Sequence, residues 1–233
     1  MILLQTLSTN DGLQAVDSLA LMESAGSNDI GLLDLMIKGG YMMVPLYLLF
    51  ILAIFIFIER IITLKKASTT PKGMIDQVKM MVQSGNIEQA KMVCQGEETP
   101  VAHMISKGLE RIGSPLKNIE VAIENVGKIE IYKLEKNLSL MATVSGAAPM
   151  IGFLGTVAGM IRAFIGVAQE EGMVSPKLLS TGIYEAMITT ATGLVVGIVA
   201  YLGYNYLVTR VSKLIHNMEY TTIEFIDLLQ DKK

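Results

Sequence analysis

Residues 182–207 read GIYEAMITTATGLVVGIVAYLGYNYL, a run that is apolar enough to cross a membrane except for one glutamate near its start. A charged side chain at the centre of a spanning helix costs about 2.5 to 3.5 kcal/mol on insertion scales. Glu185 lies nearer to one end of the run, which lowers that cost. Its presence still indicates that one face of this segment meets something other than lipid.

Two further runs, residues 39–58 and 137–161, contain no charged residue, and neither does the stretch 186–209. A helix needs roughly 20 apolar residues to cross a hydrocarbon core about 30 Å thick, and each run is long enough. Three such helices would exceed the core that a soluble chain of 233 residues can cover. The first run also lacks the basic start and the cleavage site of a signal peptide. The sequence therefore predicts three transmembrane helices: 41–58, 138–165 and 178–207.

Basic residues are concentrated on one side of these spans. Residues 1–40 contain one lysine and five acids, whereas residues 59–137 contain twelve lysines and arginines. By the positive-inside rule, the N-terminus and the link 166–177 are expected outside, and residues 59–137 and the C-terminus in the cytoplasm. The formal net charge of -3 argues against a general nucleic-acid-binding surface.

The segment before the first span is predicted to be an external arm, residues 1–40. Its last part, residues 30–41, has leucine, isoleucine and methionine spaced as in a short helix that lies in the membrane interface. Pro45 is expected to start the span itself. A short external loop, residues 166–177, is predicted between the second and third spans.

Residues 59–137 are predicted to form a cytoplasmic domain of short helices packed into a small bundle. Asn86 with Gln89 three residues later has the pattern of a capping box. Thr99 followed by Pro100 is typical of the start of another helix.

A longer helix is predicted to open at Pro115 and to run into the second span without a breaker. It would contain some 50 residues and be about 75 Å long. Its cytoplasmic stripe needs a partner, and residues 208–233 are the candidate because they continue the third span with helical spacing. The fold class predicted overall is an all-α membrane protein with three transmembrane helices, long cytoplasmic helical extensions and a small cytoplasmic helical bundle.

Small residues follow one face of each of the two later spans, at separations of three, four and seven residues. Such stripes let helix backbones approach closely, because burial against lipid supplies no driving force for helix association. By themselves they indicate a packed helix interface, as does the pair Gly155 and Gly159. The stripes are Ala142, Ser145, Pro149, Gly152, Thr156 and Ala163 in the second span, and Gly182, Ala186, Gly193, Gly197 and Ala200 in the third.

Glu185 heads a polar stripe beside the small-residue face of the third span. Thr181, Thr189 and Thr192 lie within about 40° of it on a helical wheel. An ionisable residue inside a span marks an ion or proton pathway by default.

Two plainer interpretations of the same residues remain open. Glu185 could extend to the outer surface or pair with Arg162, which lies at the same level of the second span. Thr189 and Thr190 could donate their hydroxyls to carbonyls of their own helix.

No residues suggest catalysis. His103 and His216 are too few and too scattered for a metal site, and the phosphate-loop, zinc-protease and nucleophile–histidine patterns are absent from the sequence. Cys94 is expected to be a buried, reduced thiol. An enzyme is not predicted, and neither is a metal or a cofactor.

Two long motifs carry a resemblance to a known family. LSLMATVSGAAPMIGFLGTVAGMIRAF, residues 138–164, resembles the APLLGLLGTVxGMIxxF signature of the ExbB/TolQ/MotA group of proton-channel proteins. LLSTGIYEAMITTATGLVVGIVAYLGYNYL, residues 178–207, resembles its GIxEALxTTAxGLxVAIPAxxxYN signature. Three spans with a large loop after the first look like ExbB or TolQ rather than the four-span MotA, and ExbB is the nearer. The chain departs from the pattern at Val199, where many members have proline, and at Arg162.

The resemblance implies a pentamer of this chain in a bacterial inner membrane, with its N-terminus in the periplasm and its C-terminus in the cytoplasm. The second and third spans would line a pore that holds an ExbD-like single-span subunit, and a TonB-like protein would carry the energy to outer-membrane transport. A TolQ-like or gliding-type motor subunit, or a membrane scaffold without proton transport, is the alternative.

The resemblance also implies roles for particular residues. Thr156, Glu185 and Thr190 are expected in the proton pathway, with Thr189 beside them on the polar stripe. The residues expected to pack along the pore are Ser145, Pro149, Gly152, Gly155, Gly159, Gly193 and Gly197.

Overall fold

A computed structural model of the chain describes residues 39–69, 73–169 and 176–230, and the regular secondary structure of these residues is helical. The helices in chain order are α1 Met43–Ser68, α2 Met74–Gln83, α3 Ile87–Gln95, α4 Pro100–Glu110, α5 Leu116–Glu135, α6 Leu138–Gln169 and α7 Pro176–Gln230. The predicted all-α class is confirmed. The predicted external arm up to residue 38, and residues 170–175 of the predicted external loop, lie outside the described residues.

Three stretches are long and apolar enough to cross a membrane: Met43–Ser68, Leu116–Gln169 and Leu179–Gln230. They cover the three predicted spans except for residues 41, 42 and 178. α6 and α7 pack along each other over most of the length of α6, and α1 packs against both. The outward side of α1 is a broad apolar face, as expected of a helix that meets lipid; it includes Val44, Leu48, Ile51, Phe55, Ile58 and Ile62.

α7 runs without interruption for 55 residues, which corresponds to about 82 Å at 1.5 Å per residue. The prediction that the C-terminal segment continues the third span is therefore confirmed. The matching prediction for the second span is wrong, because α5 ends at Glu135 and α6 begins at Leu138. Lys136 is extended, with ψ of 138°, and Asn137 is left-handed, with φ of 64°. Asparagine is one of the few residues that tolerate this conformation, so the chain turns here without glycine or proline.

Arg60, on α1, stabilises the turn between α5 and α6. Its side chain is buried, and its Nη1 donates to the carbonyls of Lys133, at 3.1 Å, and Leu134, at 3.3 Å. These are among the last carbonyls of α5, which have no partner within their own helix. Glu59 accepts two hydrogen bonds from the same guanidinium, at 2.8 and 2.9 Å, and one from the Asn137 amide at 3.5 Å. The end of α5 is thus fastened to α1.

Large apolar side chains fill the space between α2, α3, α4, α5 and the C-terminal half of α7. This bundle cluster also includes the C-terminal end of α1. Within it α5 packs against α7, as predicted, and also against α4. Its most deeply buried members are Val78, Val82, Ala90, Cys94, Ile105, Leu109, Ile123, Met141, Leu207 and Phe225.

Two local predictions in the bundle have opposite outcomes. Thr99 caps α4, since its Oγ1 accepts a hydrogen bond from the Ala102 N–H at 3.3 Å. Asn86 makes no side-chain cap at the start of α3, so the predicted capping box is wrong. Cys94 is buried and free, as expected. Burial raises the pKa of its thiol to about 11, which leaves little of the reactive thiolate at neutral pH.

Candidate functional site

The interface of α6 with α7 is built from small residues, as the sequence predicts. Gly152, Gly155 and Gly159 are buried on α6. A Cβ added at Gly152 would lie 3.2 Å from the Cα of Gly193, and one added at Gly193 would lie 2.7 Å from the carbonyl oxygen of Ala148. These neighbours are backbone atoms, which cannot rotate away. The two helices run antiparallel at a distance that only glycine permits at these positions.

The same interface continues past Pro149 of α6. A Cβ added at Gly197 would lie 2.5 Å from the proline ring and 3.2 Å from the carbonyl oxygen of Ser145. Membrane helices tolerate a proline in their interior when neighbouring helices cover the interrupted turn. The residues expected to pack along a pore therefore lie where α6 meets α7 of the same chain. Their position beside a pore between copies stays a prediction.

Arg162 on α6 and Glu185 on α7 form an ion pair across this interface. Nη2 of Arg162 lies 2.7 Å from Oε1 of Glu185. The glutamate side chain is 18% exposed and the arginine side chain 43%, so the pair is covered on the carboxylate side and open on the guanidinium side. The guanidinium carbon also lies 5.0 Å from the centre of the Tyr41 ring, within the range of a cation–π contact. The interpretation in which Glu185 pairs with Arg162 is confirmed.

The residues just before α1 complete the surroundings of the carboxylate. Gly40 has φ of 68°, a conformation that favours glycine, and a Cβ there would overlap Oε1 of Glu185. Thr189 is 1% exposed, and its hydroxyl lies 2.9 Å from the carbonyl oxygens of both Gly39 and Glu185. Three parts of the chain, α6, α7 and the residues leading into α1, therefore surround Glu185.

The predicted threonines take different positions. The Thr190 hydroxyl donates across the interface to the Gly152 carbonyl at 2.9 Å. The Thr156 hydroxyl donates to Phe153, three residues back in its own helix, at 2.6 Å, and its side chain is partly exposed. Hydrogen bonding within the same helix thus accounts for Thr156 and in part for Thr189, but not for Thr190.

The arrangement places a carboxylate and a guanidinium at one level of two spanning helices. A carboxylate group can in general be the partner of a cation or accept a proton in its place. Sequence reasoning gave the pair with Arg162 as one plain interpretation of Glu185, because a base and an acid lie at the same depth on two predicted spans. It assigned Arg162 no role in transport, and it did not single out Tyr41, Gly39 or Gly40.

Comparison with known proteins places these two helices in a family. Residues 96–220 match the model of the MotA/TolQ/ExbB proton channel family, and the match covers more than half of the 233 residues. The chain belongs to this family. The matched segment contains Thr156, Arg162 and Glu185, whereas the residues that lead into α1 lie before it.

Several curated members of the family are similar to this chain over part of their length. A biopolymer transport protein exbB1 of Vibrio cholerae is 32% identical over 97 residues, which are 42% of each chain. An ExbB of Aquifex aeolicus is 40% identical over 91 residues, 38% of this chain and 61% of the relative. A Tol-Pal system protein TolQ of Haemophilus influenzae is 36% identical over 99 residues, 40% of this chain and 43% of the relative. The matches thus span roughly half the length of these relatives, and their names fall on both the ExbB and the TolQ side of the family.

Membership agrees with the fold. The family consists of membrane transport subunits rather than a known class of enzyme, and the described residues provide three candidate spans. The chain is accordingly a multi-pass membrane protein of the MotA/TolQ/ExbB family.

Proposed function

We propose that this chain is an ExbB-like proton-channel subunit of an inner-membrane motor, which uses the proton motive force to energise TonB-dependent outer-membrane transport. In this proposal it forms a homopentamer, holds an ExbD-like single-span subunit in a central pore and acts on a TonB-like protein. The N-terminus faces the periplasm, and the bundle and the C-terminus face the cytoplasm. Family membership, the ExbB names among the relatives and the distribution of basic residues support this assignment.

The observation that carries the proposal is the open side of the Arg162–Glu185 pair. Arg162 lies within a candidate span and is 43% exposed in the single chain. A guanidinium exposed to acyl chains is strongly disfavoured, so this edge of α6 is better suited to a wet or protein-lined axis than to lipid. A ring of copies with this edge turned inward would supply such an axis.

Proton transfer at this pair would change the charge that a pore helix meets. When Glu185 accepts a proton, Arg162 loses its counter-ion and becomes available to a carboxylate on the partner's helix. When Glu185 releases the proton, the pair re-forms and the partner's carboxylate is set free. One proton crossing 100 mV releases about 2.3 kcal/mol, which is the energy available for each such exchange.

Two alternatives rest on specific observations. The TolQ relatives favour a motor of the same kind that serves a different envelope system. The contacts of Glu185 and Thr189 with Gly39 and Gly40 favour a structural role instead, in which the polar residues fasten the start of α1 to α7 and no proton moves.

Replacing Glu185 by glutamine tests transport against structure. Glu185→Gln keeps the size of the side chain and one hydrogen bond to Arg162 but cannot exchange a proton at this position. We expect energised uptake through the outer membrane to fall to background while the oligomer stays assembled in native mass spectrometry. Glu219→Gln is the matched control, because Glu219 is an exposed glutamate on the same helix beyond the uncharged run.

The structural alternative predicts the reverse result. Under it, Glu185→Gln would leave uptake intact or would disperse the oligomer. Rescue of a strain lacking ExbB, compared with rescue of a strain lacking TolQ, separates the two motor assignments.

A further inference from the structure

A cavity of about 670 Å³ lies between the C-terminal end of α1 and the middle of α7, well away from Glu185. Its size is within the range of sites that hold small molecules. Its floor is apolar, formed in part by Leu64 and Leu207, which are 5% and 0% exposed. Its walls carry polar and basic groups. The cavity therefore combines an apolar base with a charged entrance.

The charge of the entrance has one sign. Lys65 from α1, and Arg210 and Lys213 from α7, line it, and no aspartate or glutamate is among the described residues that do so. Within residues 39–69, 73–169 and 176–230, none of these three cations forms an ion pair. Three cations around one cavity, without an ion-pair partner among the described residues, favour an anionic occupant.

Arg210 is held in place at the cavity wall. Its Nε and Nη2 donate to the Tyr206 hydroxyl at 3.1 and 2.9 Å, and its guanidinium carbon lies 5.1 Å from the centre of the Tyr206 ring. The same ring packs on Phe57 of α1 at a centroid distance of 6.2 Å. An arginine fixed in this way loses less conformational entropy when it binds an anion than a freely moving one does.

The cavity follows directly on the uncharged run of α7, where lipid headgroups are expected. Arg210 directly follows the uncharged run 186–209, and Lys213 lies about 5 Å further along the helix. The headgroup layer on each side of a bilayer is about 5 to 7 Å thick. Tyrosine is also typical of this layer, and Tyr206, four residues before Arg210, lines the cavity. Acyl chains attached to a headgroup held here would run along the exposed apolar face of α1.

We propose that this cavity binds the phosphate-bearing headgroup of an anionic phospholipid. Lys65, Arg210 and Lys213 contact the phosphate, and His216 and Asn217 offer hydrogen bonds to the rest of the headgroup. The site is separate from proton transfer at Glu185 and requires only that the chain lies in a membrane. A lipid bound in this cavity would link the C-terminal end of α1 to α7.

Lipid titration of the purified full-length oligomer, followed by native mass spectrometry, tests the proposal. Phosphatidylglycerol, phosphatidylcholine and inorganic phosphate are added in separate arms. We expect phosphatidylglycerol to be retained in preference to phosphatidylcholine, and inorganic phosphate at the same concentration not to displace it. Lys213→Gln should weaken phosphatidylglycerol binding about fivefold, which corresponds to about 1 kcal/mol for one cation near an anionic headgroup.

Lys66→Gln is the matched control. Lys66 adjoins Lys65, is exposed and carries the same charge, but it does not line the cavity. We expect this variant to bind phosphatidylglycerol like the unmodified chain. Lys65→Gln repeats the test from the opposite wall, so that a folding defect in one variant does not decide the result.

Three outcomes would overturn the proposal. Equal weakening by Lys66→Gln would mean that binding reflects general surface charge. Displacement of the lipid by inorganic phosphate would assign the cavity to a free anion. Loss of the oligomer in Lys213→Gln, with lipid retention unchanged, would mean that a second copy of the chain covers the cavity.

Discussion

The α6–α7 pair and the bundle are packed in opposite ways: small residues form the first interface, and large side chains fill the second. In the span, Gly152 and Gly193 bring two backbones into contact, whereas Leu109, Ile123 and Phe225 fill the bundle with large side chains that are at most 2% exposed. Acyl chains are as apolar as leucine, so burying a side chain against another helix gains little in lipid and close contact must suffice. In water, each Å² of buried apolar surface contributes about 25 cal/mol. Side-chain volume should therefore stabilise one region and destabilise the other.

The glycines themselves differ between the two regions. A Cβ added at Gly108 in the bundle would meet the ends of the Ile123 and Phe225 side chains, at 2.7 and 2.8 Å. A Cβ added at Gly193 would meet backbone atoms of α6. Side-chain ends can shift and backbones within a helix cannot, so the span is the less tolerant of the two.

Removing volume from the bundle should give the largest loss of stability. Phe225→Ala deletes a fully buried ring, and we expect the free energy of unfolding to fall by about 3 to 5 kcal/mol. The measurement is urea unfolding in detergent followed by circular dichroism. Ile223→Ala is the control two residues away, where a 58% exposed side chain should change stability by no more than about 0.5 kcal/mol. Equal losses in the two variants would show that the bundle does not depend on a filled core.

Adding volume to the span should give the next largest effect. Gly193→Ala places a methyl group against the Ala148 carbonyl and Gly152, and overpacking of this kind costs about 1 to 3 kcal/mol. The midpoint of thermal unfolding in detergent should fall. Gly146→Ala, on α6, is the matched control, because the added Cβ would meet no atom of another described element within 4 Å. If the two variants have the same midpoint of thermal unfolding, the α6–α7 interface at Gly193 is no more tightly packed than the open helix surface at Gly146.

Removing a single hydrogen bond across the span should give the smallest effect. Thr190→Val keeps the shape of the side chain and deletes the bond to the Gly152 carbonyl, and such bonds contribute about 0.6 kcal/mol on average in membrane proteins. Thr209→Val is the control on the same helix, where the hydroxyl donates to the carbonyl of Asn205 four residues back in its own helix. The measurement is the midpoint of thermal unfolding, which should fall more in Thr190→Val than in Thr209→Val. A loss of transport in Thr190→Val without a matching loss of stability would place Thr190 in the proton pathway instead.

Much of the fold could be predicted because its signals are local and periodic. The uncharged runs predict the spans, and apolar residues at helical spacing predict the continuation of the third span as far as the bundle. The stripes of small residues correctly predict the contact of α6 with α7, since glycine at these intervals has few other uses in a membrane helix.

The misses have physical reasons. The turn at Lys136 and Asn137 lacks glycine and proline, and Arg60 stabilises it from 73 residues away, at Lys133. Asn86 and Gln89 match a capping pattern, but the pattern does not guarantee the bond. For Glu185, the sequence favoured neither a partner nor solvent, because that choice depends on the register between two helices and on where the chain before α1 passes.

The unbroken course of α7 has a mechanical consequence. Glu185 and Phe225 lie on one uninterrupted helix, forty residues or about 60 Å apart. The other half of the antiparallel pair has a joint at Asn137, bracketed against α1 by Arg60 and Glu59. A displacement of α7 at Glu185 would be carried along one continuous helix to the bundle, whereas α5 and α6 are separate helices whose junction is held to α1.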